Sequence, residues 1–471
     1  MKTWNLTAMT AITVAVAAAF PGSALAQSNE ELLKEIRALK ERVTQLESQQ
    51  KAAAQAKPAA GQWGMTPEQA ADLARIGTKT EGLEDSIEAM GLKALKIGGF
   101  FDPTFIYNKD QNRAGFQMLN PVSRGGYSYD NGYFGTAAID FQKELDGGTK
   151  WRLTLMPSRG AGSIADSGAY SIVHEASVSI PLGDLKTRLI AGQIPDWSGY
   201  EYTQPNTTKL VTRGLLLDFT EPTIYTGAGM ELVRGKWDVK AILANFNRTL
   251  QNANTKAPVL AYRADYAKGE YSGFGFAGVH GNVANFTSNV KDLAGAVVSQ
   301  PDSRLDLFEV DGYFIRGDLT LQGQVGVGRQ KNASVLAAAD GSLRDARWWG
   351  MSGLAAYKFI PRWEAVARLD YLNNSKNGGG LLGYTTADAI NGIGPGMAFD
   401  AGTSTWVVGD PDKGANRYAL AFGVNYLLTA NALLKFEYRL DRASQAVFLD
   451  VRDGSYTKSN QLLGTSVVVS F

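Results

Sequence analysis

Charged residues at every second position carry the clearest chemical signal in this sequence. Lys435, Glu437, Arg439 and Asp441 alternate with leucine, phenylalanine and tyrosine, and Arg368 stands in a similar pattern. Side chains two residues apart share one face of a β-strand, so one face is charged and the other is apolar. An Arg or Lys that faces lipid at mid-depth costs about 2–4 kcal/mol. We therefore predict that the charged face lines water and the apolar face contacts lipid.

Six basic residues on predicted strands are candidates for this water-lined face. They are Arg188, Lys240, Arg263, Arg368, Lys435 and Arg439. One interpretation is a series of inward charges that sets ion preference and conductance. The other is a lattice of salt bridges that only braces the wall, with acidic neighbours such as Glu364, Asp370, Glu437 and Asp441. The sequence leaves both interpretations open for each residue.

The elements that must position these residues follow a period of two from Lys93 to the end of the chain. This periodicity predicts sixteen strands. Their predicted bounds are 94–107, 132–145, 149–158, 169–182, 185–195, 224–233, 236–247, 257–267, 271–283, 304–315, 317–329, 345–359, 361–373, 416–428, 430–442 and 461–471.

The connections between these strands alternate strictly between short and long. Seven short turns and eight long loops result, and all the long loops fall at one end. The arrangement predicts an all-β fold, a transmembrane antiparallel β-barrel of sixteen strands over 93–471, with both chain ends on the same side. Counting the strand-like segment 214–219 as a strand breaks the alternation. We therefore place it inside the third long loop, 196–223.

The last strand, 461–471, ends the chain on an aromatic residue. A free strand at this position would leave an exposed sheet edge, whereas a closed barrel pairs it with the first strand, 94–107. The alternation predicts that Leu463, Val467, Val469 and Phe471 contact lipid. Ser466 and Ser470 then face the lumen.

Composition narrows the compartment and the chemistry. The chain has no Cys, which excludes disulfides and zinc–thiolate sites, and a net charge of +1 gives no support for nucleic-acid binding. Residues 1–26 have the basic start, short apolar run and Ala24-Leu25-Ala26 site of a secretory signal peptide. A single membrane anchor is the alternative interpretation of this segment.

The segment after the signal peptide predicts a helical arm. Residues 27–50 carry a heptad pattern whose seam is Leu32, Ile36, Leu39, Val43 and Leu46. Ile or Val at a with Leu at d is typical of coiled coils that oligomerise. An amphipathic helix lying on its own barrel is the alternative. Residues 51–65 read as a linker, and Thr66-Pro67 begins a second predicted helix over 66–92.

The whole mature chain resembles Gram-negative outer-membrane porins of the trimeric sixteen-strand type with an N-terminal coiled coil, and more distantly phosphate-selective porins. The resemblance is carried by the coiled coil at 29–46, by Lys96-Ile97-Gly98-Gly99-Phe100-Phe101, by Ala191-Gly192-Gln193 and by the terminal Phe471. It implies a homotrimer in the outer membrane bilayer with the arm in the periplasm. It also implies that Phe471 is the assembly signal read by the barrel-assembly machinery.

The same resemblance implies passive diffusion of small polar or charged solutes through the barrel. In such families the third loop folds into the lumen and narrows it. In this chain that loop, 196–223, carries Glu201, Lys209, Arg213 and Asp218, and its Leu215-Leu216-Leu217 would pack against the inner wall. No loop is dense in Lys or Arg, so a dedicated phosphate funnel is not expected.

Other chemistry finds little support in the sequence. His174 and His280 are the only histidines, and no motif places a nucleophile beside either, so we expect no enzyme and no cofactor. Asp400, Asp410 and Asp412 could offer oxygen ligands to calcium, but their spacing favours a solvated turn. Two other functions stay open: a structural anchor of the cell envelope, and a surface receptor or adhesin that uses loop 374–415.

Overall fold

A computed structural model describes residues 41, 44–45, 67–89, 94–119, 135–157, 172–246, 258–284, 295–297, 302–334, 337, 341–376 and 395–471. The predicted signal peptide, the linker and the five seam residues of the predicted coiled coil lie outside the described residues. The chain divides into two compact units, Met1–Lys93 and Ala94–Phe471.

The first unit contains the helix α1, Pro67–Ala89, within the segment predicted to be the second helix. Proline at the first helical position fits, because the first N–H groups of a helix have no partner inside it. Leu73 and Ile76 are each about half exposed. Within the described part of the chain, no helix is long and apolar enough to cross a membrane.

The second unit is a closed antiparallel barrel whose sheet contains eighteen strand segments. Two pairs of short segments, β1 with β2 and β3 with β4, each share one position in the wall, which leaves the sixteen positions that the sequence predicts. Four further short strands form two hairpins within the connections. The segments are β1 Leu95–Phe101, β2 Thr104–Asn108, β3 Arg113–Gln117, β4 Ala137–Glu144, β5 Lys150–Leu155, β6 Val173–Leu182, β7 Asp184–Pro195, β8 Ile224–Arg234, β9 Trp237–Phe246, β10 Val259–Gly269, β11 Ser272–Ala284, β12 Asp302–Arg316, β13 Leu319–Gln330, β14 Ala346–Ile360, β15 Trp363–Asn373, β16 Met397–Asp400, β17 Thr405–Val408, β18 Arg417–Thr429, β19 Ala432–Ala443, β20 Phe448–Leu449, β21 Tyr456–Thr457 and β22 Ser459–Ser470.

The first two wall positions differ from the predicted continuous strands 94–107 and 132–145. The first is broken at Asp102-Pro103, because proline has no N–H to donate to a ladder. At the second position, β4 pairs with β1 and begins only at Ala137. The segment β3, which the sequence predicts as loop, pairs with β2 and completes the second position.

Closure between the last and first strands occurs as predicted. The strand β22 pairs with both β1 and β2. At its end, the Phe471 N–H donates to the Gly99 carbonyl oxygen at 3.1 Å, and the Phe471 ring stacks on Phe101 with centroids 5.7 Å apart. A Cβ at Gly99 would lie 2.7 Å from the Phe471 ring, so only glycine fits this approach.

The facing predicted for the last strand agrees with its burial pattern. Leu463 and Phe471 are about half exposed on the outside of the wall, and Val469 is exposed with them. Ser466 is buried and donates to the Asp102 carboxylate on the inner side.

The third long connection folds into the barrel and contains the segment that the sequence placed there rather than in the wall. Gly214 precedes a short helix, α2 Leu215–Phe219, all of whose residues are buried. The helix contacts β14, β15 and β18, and a single 3-10 turn at Pro205–Thr207 contacts β22. The connection therefore lies against one side of the lumen.

Candidate functional site

The barrel lumen has two walls that differ in what covers them. We call residues 196–223 the third loop. The covered wall is the inner face of β14, β15, β18, β19 and β22, against which the third loop packs. The open wall is the inner face of β4 to β10, which the third loop contacts where it begins, at Asp196 and Trp197. Each wall is built from strands whose inward residues alternate with outward apolar ones.

On the covered wall, Arg368 of β15 is the main attachment point of the third loop. Its guanidinium donates to the Glu201 carboxylate at 2.7 Å and to the Thr212 and Arg213 carbonyl oxygens at 2.9 and 2.8 Å. The Arg368 Nε donates to the Asp370 carboxylate at 2.9 Å. The Arg368 side chain has no exposed surface. It therefore acts as a buried bridge between loop and wall.

Strand β19 supplies a second set of attachments. Arg439 donates to the Arg213 carbonyl oxygen at 2.5 Å and pairs with Asp441 at 2.9 Å. Glu437 accepts a hydrogen bond from the Thr212 backbone N–H at 2.7 Å. These inward charges of β19 are buried by the loop, and none of the three is more than 2% exposed.

Lys435 also binds the third loop, nearer the end of the barrel that carries the short turns. Its ammonium donates to the carbonyl oxygens of Pro205 and Thr208, each at 2.7 Å. The side chain is 1% exposed. The charge is therefore used to hold the 3-10 turn against the wall.

Three of the four loop residues singled out by the sequence, Lys209, Arg213 and Glu201, also serve this attachment, and the fourth, Asp218, is buried in α2. Lys209 binds Glu364 of β15 at 2.6 Å and is the most exposed of them. Arg213 donates to loop carbonyl oxygens at Tyr202 and Thr203, at 3.0 and 2.6 Å. Glu201 accepts from the Gly214 N–H at 2.6 Å, and burial raises the pKa of this carboxyl.

Apolar side chains of the loop pack beneath these polar contacts. Leu215 and Phe219 of α2 belong to a buried cluster with Leu372 and Trp348 of the wall. The Gly423 position leaves room for Leu210, because a Cβ there would lie 2.5 Å from the Leu210 side chain. The loop is thus fixed by apolar packing as well as by charge.

The open wall carries a row of charges on adjacent strands. Arg188 of β7 pairs in register with Glu231 of β8, Glu231 with Lys240 of β9, and Lys240 with Arg263 of β10. We call these four residues the charge row. Opposite charges face each other at two of the three pairings, whereas Lys240 and Arg263 are like charges in register. Three of the six basic residues predicted on strands therefore meet on the open wall.

Members of the charge row differ in how tightly they are held. Arg263 binds Asp311 at 2.8 Å and Asp265 at 2.7 Å. Arg188 is buried and donates to the Ser179 hydroxyl and the Gly148 carbonyl oxygen, both at 2.6 Å. Lys240 has no salt bridge within the described residues, and its ammonium lies 5.6 Å from the Trp197 ring centroid.

A second charged group lies beside this row on the open wall. Arg152 of β5 binds Asp140 at 2.8 Å and Glu175 at 3.4 Å. The Arg152 side chain keeps 38% of its surface exposed, in contrast to the arginines under the loop. Charges of both signs are therefore accessible from this side of the lumen.

The sequence did not single out an acidic cluster where the third loop enters and leaves the wall. Asp196 accepts from the Tyr225 hydroxyl at 2.6 Å, and burial raises its pKa to about 6 against the opposing effect of hydrogen bonds from Tyr225 and Ser198. The pKa of Glu221 is raised well above its usual range by burial and by the charge of Glu309. Both Glu309 oxygens lack a hydrogen-bond partner among the described residues.

The remaining candidates are two histidines on strands and three aspartates in the connection between β15 and β18. His174 is buried, and His280 lies on the outer face of β11, where it contacts Asp306. Asp400 accepts hydrogen bonds from Gly402 and Thr403, and Asp410 pairs with Lys413. No group of acidic or histidine side chains in the described residues is arranged to hold a metal ion.

Comparisons with known proteins assign the chain to one family. The closed barrel with sixteen wall positions has the fold that the resemblance to outer-membrane porins implies. The chain belongs to a family described as "Protein of unknown function (DUF3138)", whose model matches residues 66–471. No curated protein matches it.

Similar solved structures are outer-membrane proteins. A loop L8 deletion mutant of OmpT, an outer membrane protein of Vibrio cholerae, is 12% identical with a TM-score of 0.49, covering 80% of this chain and 99% of that one. The outer membrane channel DcaP of Acinetobacter baumannii is 12% identical with a TM-score of 0.47, covering 80% and 97%. OmpF of Salmonella typhi, in complex with daunomycin, is 11% identical with a TM-score of 0.48, covering 80% and 97%. Values this low transfer no residue role or solute to this chain.

Proposed function

We propose that this protein is a porin through which small polar or charged solutes and ions diffuse passively across the outer membrane. The observation that carries the proposal is the open wall, where Arg152 and the charge row place charges of both signs on the inside of a closed barrel. Charged side chains need water or partners, and a wet lumen supplies the water.

In this proposal the two walls have different tasks. The third loop narrows the lumen and sets the size limit, because its attachments to Arg368 and Arg439 hold it rigidly. The open wall sets the ion preference. Lys240 is its main determinant, since it forms no salt bridge within the described residues, although Glu231 lies opposite it in register.

The assembly is part of the same proposal. The chain enters the periplasm by the signal peptide 1–26, and Phe471 is the signal for the barrel-assembly machinery. The coiled coil of Leu32, Ile36, Leu39, Val43 and Leu46 joins three copies, with the arm in the periplasm. The trimeric form of OmpT from Vibrio cholerae is one similar structure, at a TM-score of 0.46.

Liposome swelling with neutral sugars of increasing size tests the proposal. Vesicles that contain the protein should swell quickly in small sugars and more slowly as the sugar grows, because the third loop limits the opening. Heat-denatured protein gives the leakage control. Vesicles with a folded barrel that do not swell in the smallest sugar would contradict the proposal and favour the structural anchor.

Deleting residues 27–92 separates the arm from the channel. The shortened protein should run as a monomer in mild detergent and should keep its swelling rate per barrel. Loss of swelling by a correctly folded monomer would show that the arm belongs to the pathway.

A further inference from the structure

The outer face of the barrel carries a charged row at the end where the long loops lie. His280 of β11, Asp306 of β12, Arg329 of β13 and Arg347 of β14 are neighbours in register on successive strands. We call these four residues the rim row. Their side chains point outwards, because the residues that alternate with them on β12, β13 and β14 are buried inside the wall.

The next outward row towards the short turns is apolar. Phe308, Val327 and Trp349 are in register and are 40%, 52% and 43% exposed. A change from exposed apolar to charged residues over one pair of positions marks the depth at which a membrane changes from acyl chains to headgroups. The rim row therefore lies at headgroup depth.

A cavity of about 370 Å³ joins the two rows. Its lining includes His280, Asp306, Arg329 and Arg347 from the rim row and Phe308 and Val327 from the apolar row. Such a lining suits a ligand with a charged part and an apolar part. A small dissolved anion would make no favourable contact with Phe308 and Val327.

The charge in this cavity favours an anion. Arg329 and Arg347 are directly opposite each other, an arrangement that like charges make unfavourable. Both guanidiniums share one carboxylate, Asp345, which is 2.7 Å from the Arg329 Nε and 3.4 Å from the Arg347 Nη2. Their side chains remain about half exposed, 47% and 54%. Each guanidinium has five N–H donors, and one shared carboxylate leaves several for a phosphate.

The carboxylate of the rim row itself, Asp306, is already matched. Asp306 binds the Arg304 guanidinium at 3.1 Å and the His280 ring at 3.0 Å. It therefore does little to offset the positive charge of Arg329 and Arg347.

We propose that this cavity binds the phosphate of an anionic lipid from the surrounding membrane, with Arg329 and Arg347 as donors and the acyl chain against Phe308 and Val327. The site lies on the outside of the wall, so it does not depend on what passes through the lumen. If the protein binds no anionic lipid here, the proposed channel is unaffected. If the protein is not a channel, the lipid site is likewise unaffected.

Tryptophan quenching by brominated lipids tests this site in the full-length protein. The protein is reconstituted in phosphatidylcholine vesicles that contain either brominated phosphatidylglycerol or brominated phosphatidylcholine. Trp349 is exposed beside the cavity, so brominated phosphatidylglycerol should quench more strongly at equal mole fraction. Trp349→Phe should remove that excess, and an excess that persists would place the lipid elsewhere and overturn the proposal.

The Arg329→Gln, Arg347→Gln double variant supplies the decisive comparison. A basic side chain near an anionic surface contributes about 1 kcal/mol, so the preference for phosphatidylglycerol should fall about fivefold for each arginine lost. Arg442→Gln is the matched control, an exposed arginine at the same end of β19 and outside the cavity lining. Its preference should equal that of the unaltered protein.

Folding and assembly are checked on the same samples. Circular dichroism confirms that each variant is folded, a check that does not depend on the proposed channel. If the double variant keeps the lipid preference, the proposal is overturned. If it instead dissociates the oligomer in neutral detergent while the lipid preference stays unchanged, the row is a contact between copies and the proposal is equally overturned.

Discussion

The covered wall and the open wall use the same alternating strands but treat their charges differently. Arg368 and Arg439 on the covered wall have no exposed side-chain surface, because the third loop lies over them. Arg152 on the open wall pairs with two carboxylates and is still 38% exposed. A sequence pattern of inward charges can therefore build either a fixed scaffold or a water-lined surface. For Arg368 and Arg439, cover by the third loop produces the fixed scaffold.

The largest difference between the walls should appear on removing an arginine. Arg368→Ala leaves Glu201 and Asp370 buried without their partner, which should lower the free energy of unfolding by about 3–5 kcal/mol. Arg152→Ala is the matched variant on the open wall and should cost about 1 kcal/mol or less. Urea unfolding in lipid vesicles measures both. Equal costs would contradict the division into two walls.

A change of pH should act on the third loop through Asp196, where the loop begins. Its pKa is raised to about 6 in the fold, so the folded state holds a proton that the unfolded chain releases at lower pH. Proton binding at Asp196 therefore stabilises the folded state by up to about 3 kcal/mol. This stabilisation is fully present below about pH 4 and is lost as the pH rises through about 6.

Unfolding free energies measured between pH 4 and 7 test this dependence, with Asp196→Asn as the comparison. The amide cannot ionise, so the variant should lose this part of the pH dependence. Glu221 contributes in the same direction, because its pKa is also raised. Identical pH profiles for the two proteins would show that Asp196 does not cause this pH dependence.

The smallest expected effect concerns ion preference. Lys240→Met removes an inward charge from the open wall, and the ratio of cation to anion permeability should rise about two- to fivefold, as for an energy difference below about 1 kcal/mol. Lys435→Met removes the same charge from the covered wall. Folded channels of that variant should keep the original ratio, because Lys435 is 1% exposed. Reversal potentials in a salt gradient measure both.

Much of the barrel was predictable because it follows from local pattern. Alternating residues and alternating turn lengths gave sixteen wall positions and placed Leu215–Phe219 in the third loop, where it forms a helix. The break at Asp102-Pro103 was missed although a proline marks it, since apolar residues continue on both sides. The hairpins of β16 with β17 and of β20 with β21 were missed because strands of two to four residues carry too little periodicity.

The site was less predictable because its contacts join distant parts of the chain. Arg368 and Lys240 are both basic residues predicted to face inward, yet their contacts with the third loop differ. Arg368 is hydrogen-bonded to it, whereas Lys240 lies only 5.6 Å from the Trp197 ring centroid at its start. That difference depends on where a loop of 28 residues, 196–223, comes to lie. The acidic cluster of Asp196, Glu221 and Glu309 was missed for the same reason.

Single-channel recording in planar bilayers tests the central claim most directly. The purified full-length protein should produce discrete conductance steps of equal size from one insertion to the next. Denatured protein should produce no steps. Lys240→Met should keep the steps and change their ion preference. A barrel that inserts correctly, as judged by its resistance to urea in vesicles, and yet stays electrically silent would contradict the claim that the open wall lines a water-filled pore.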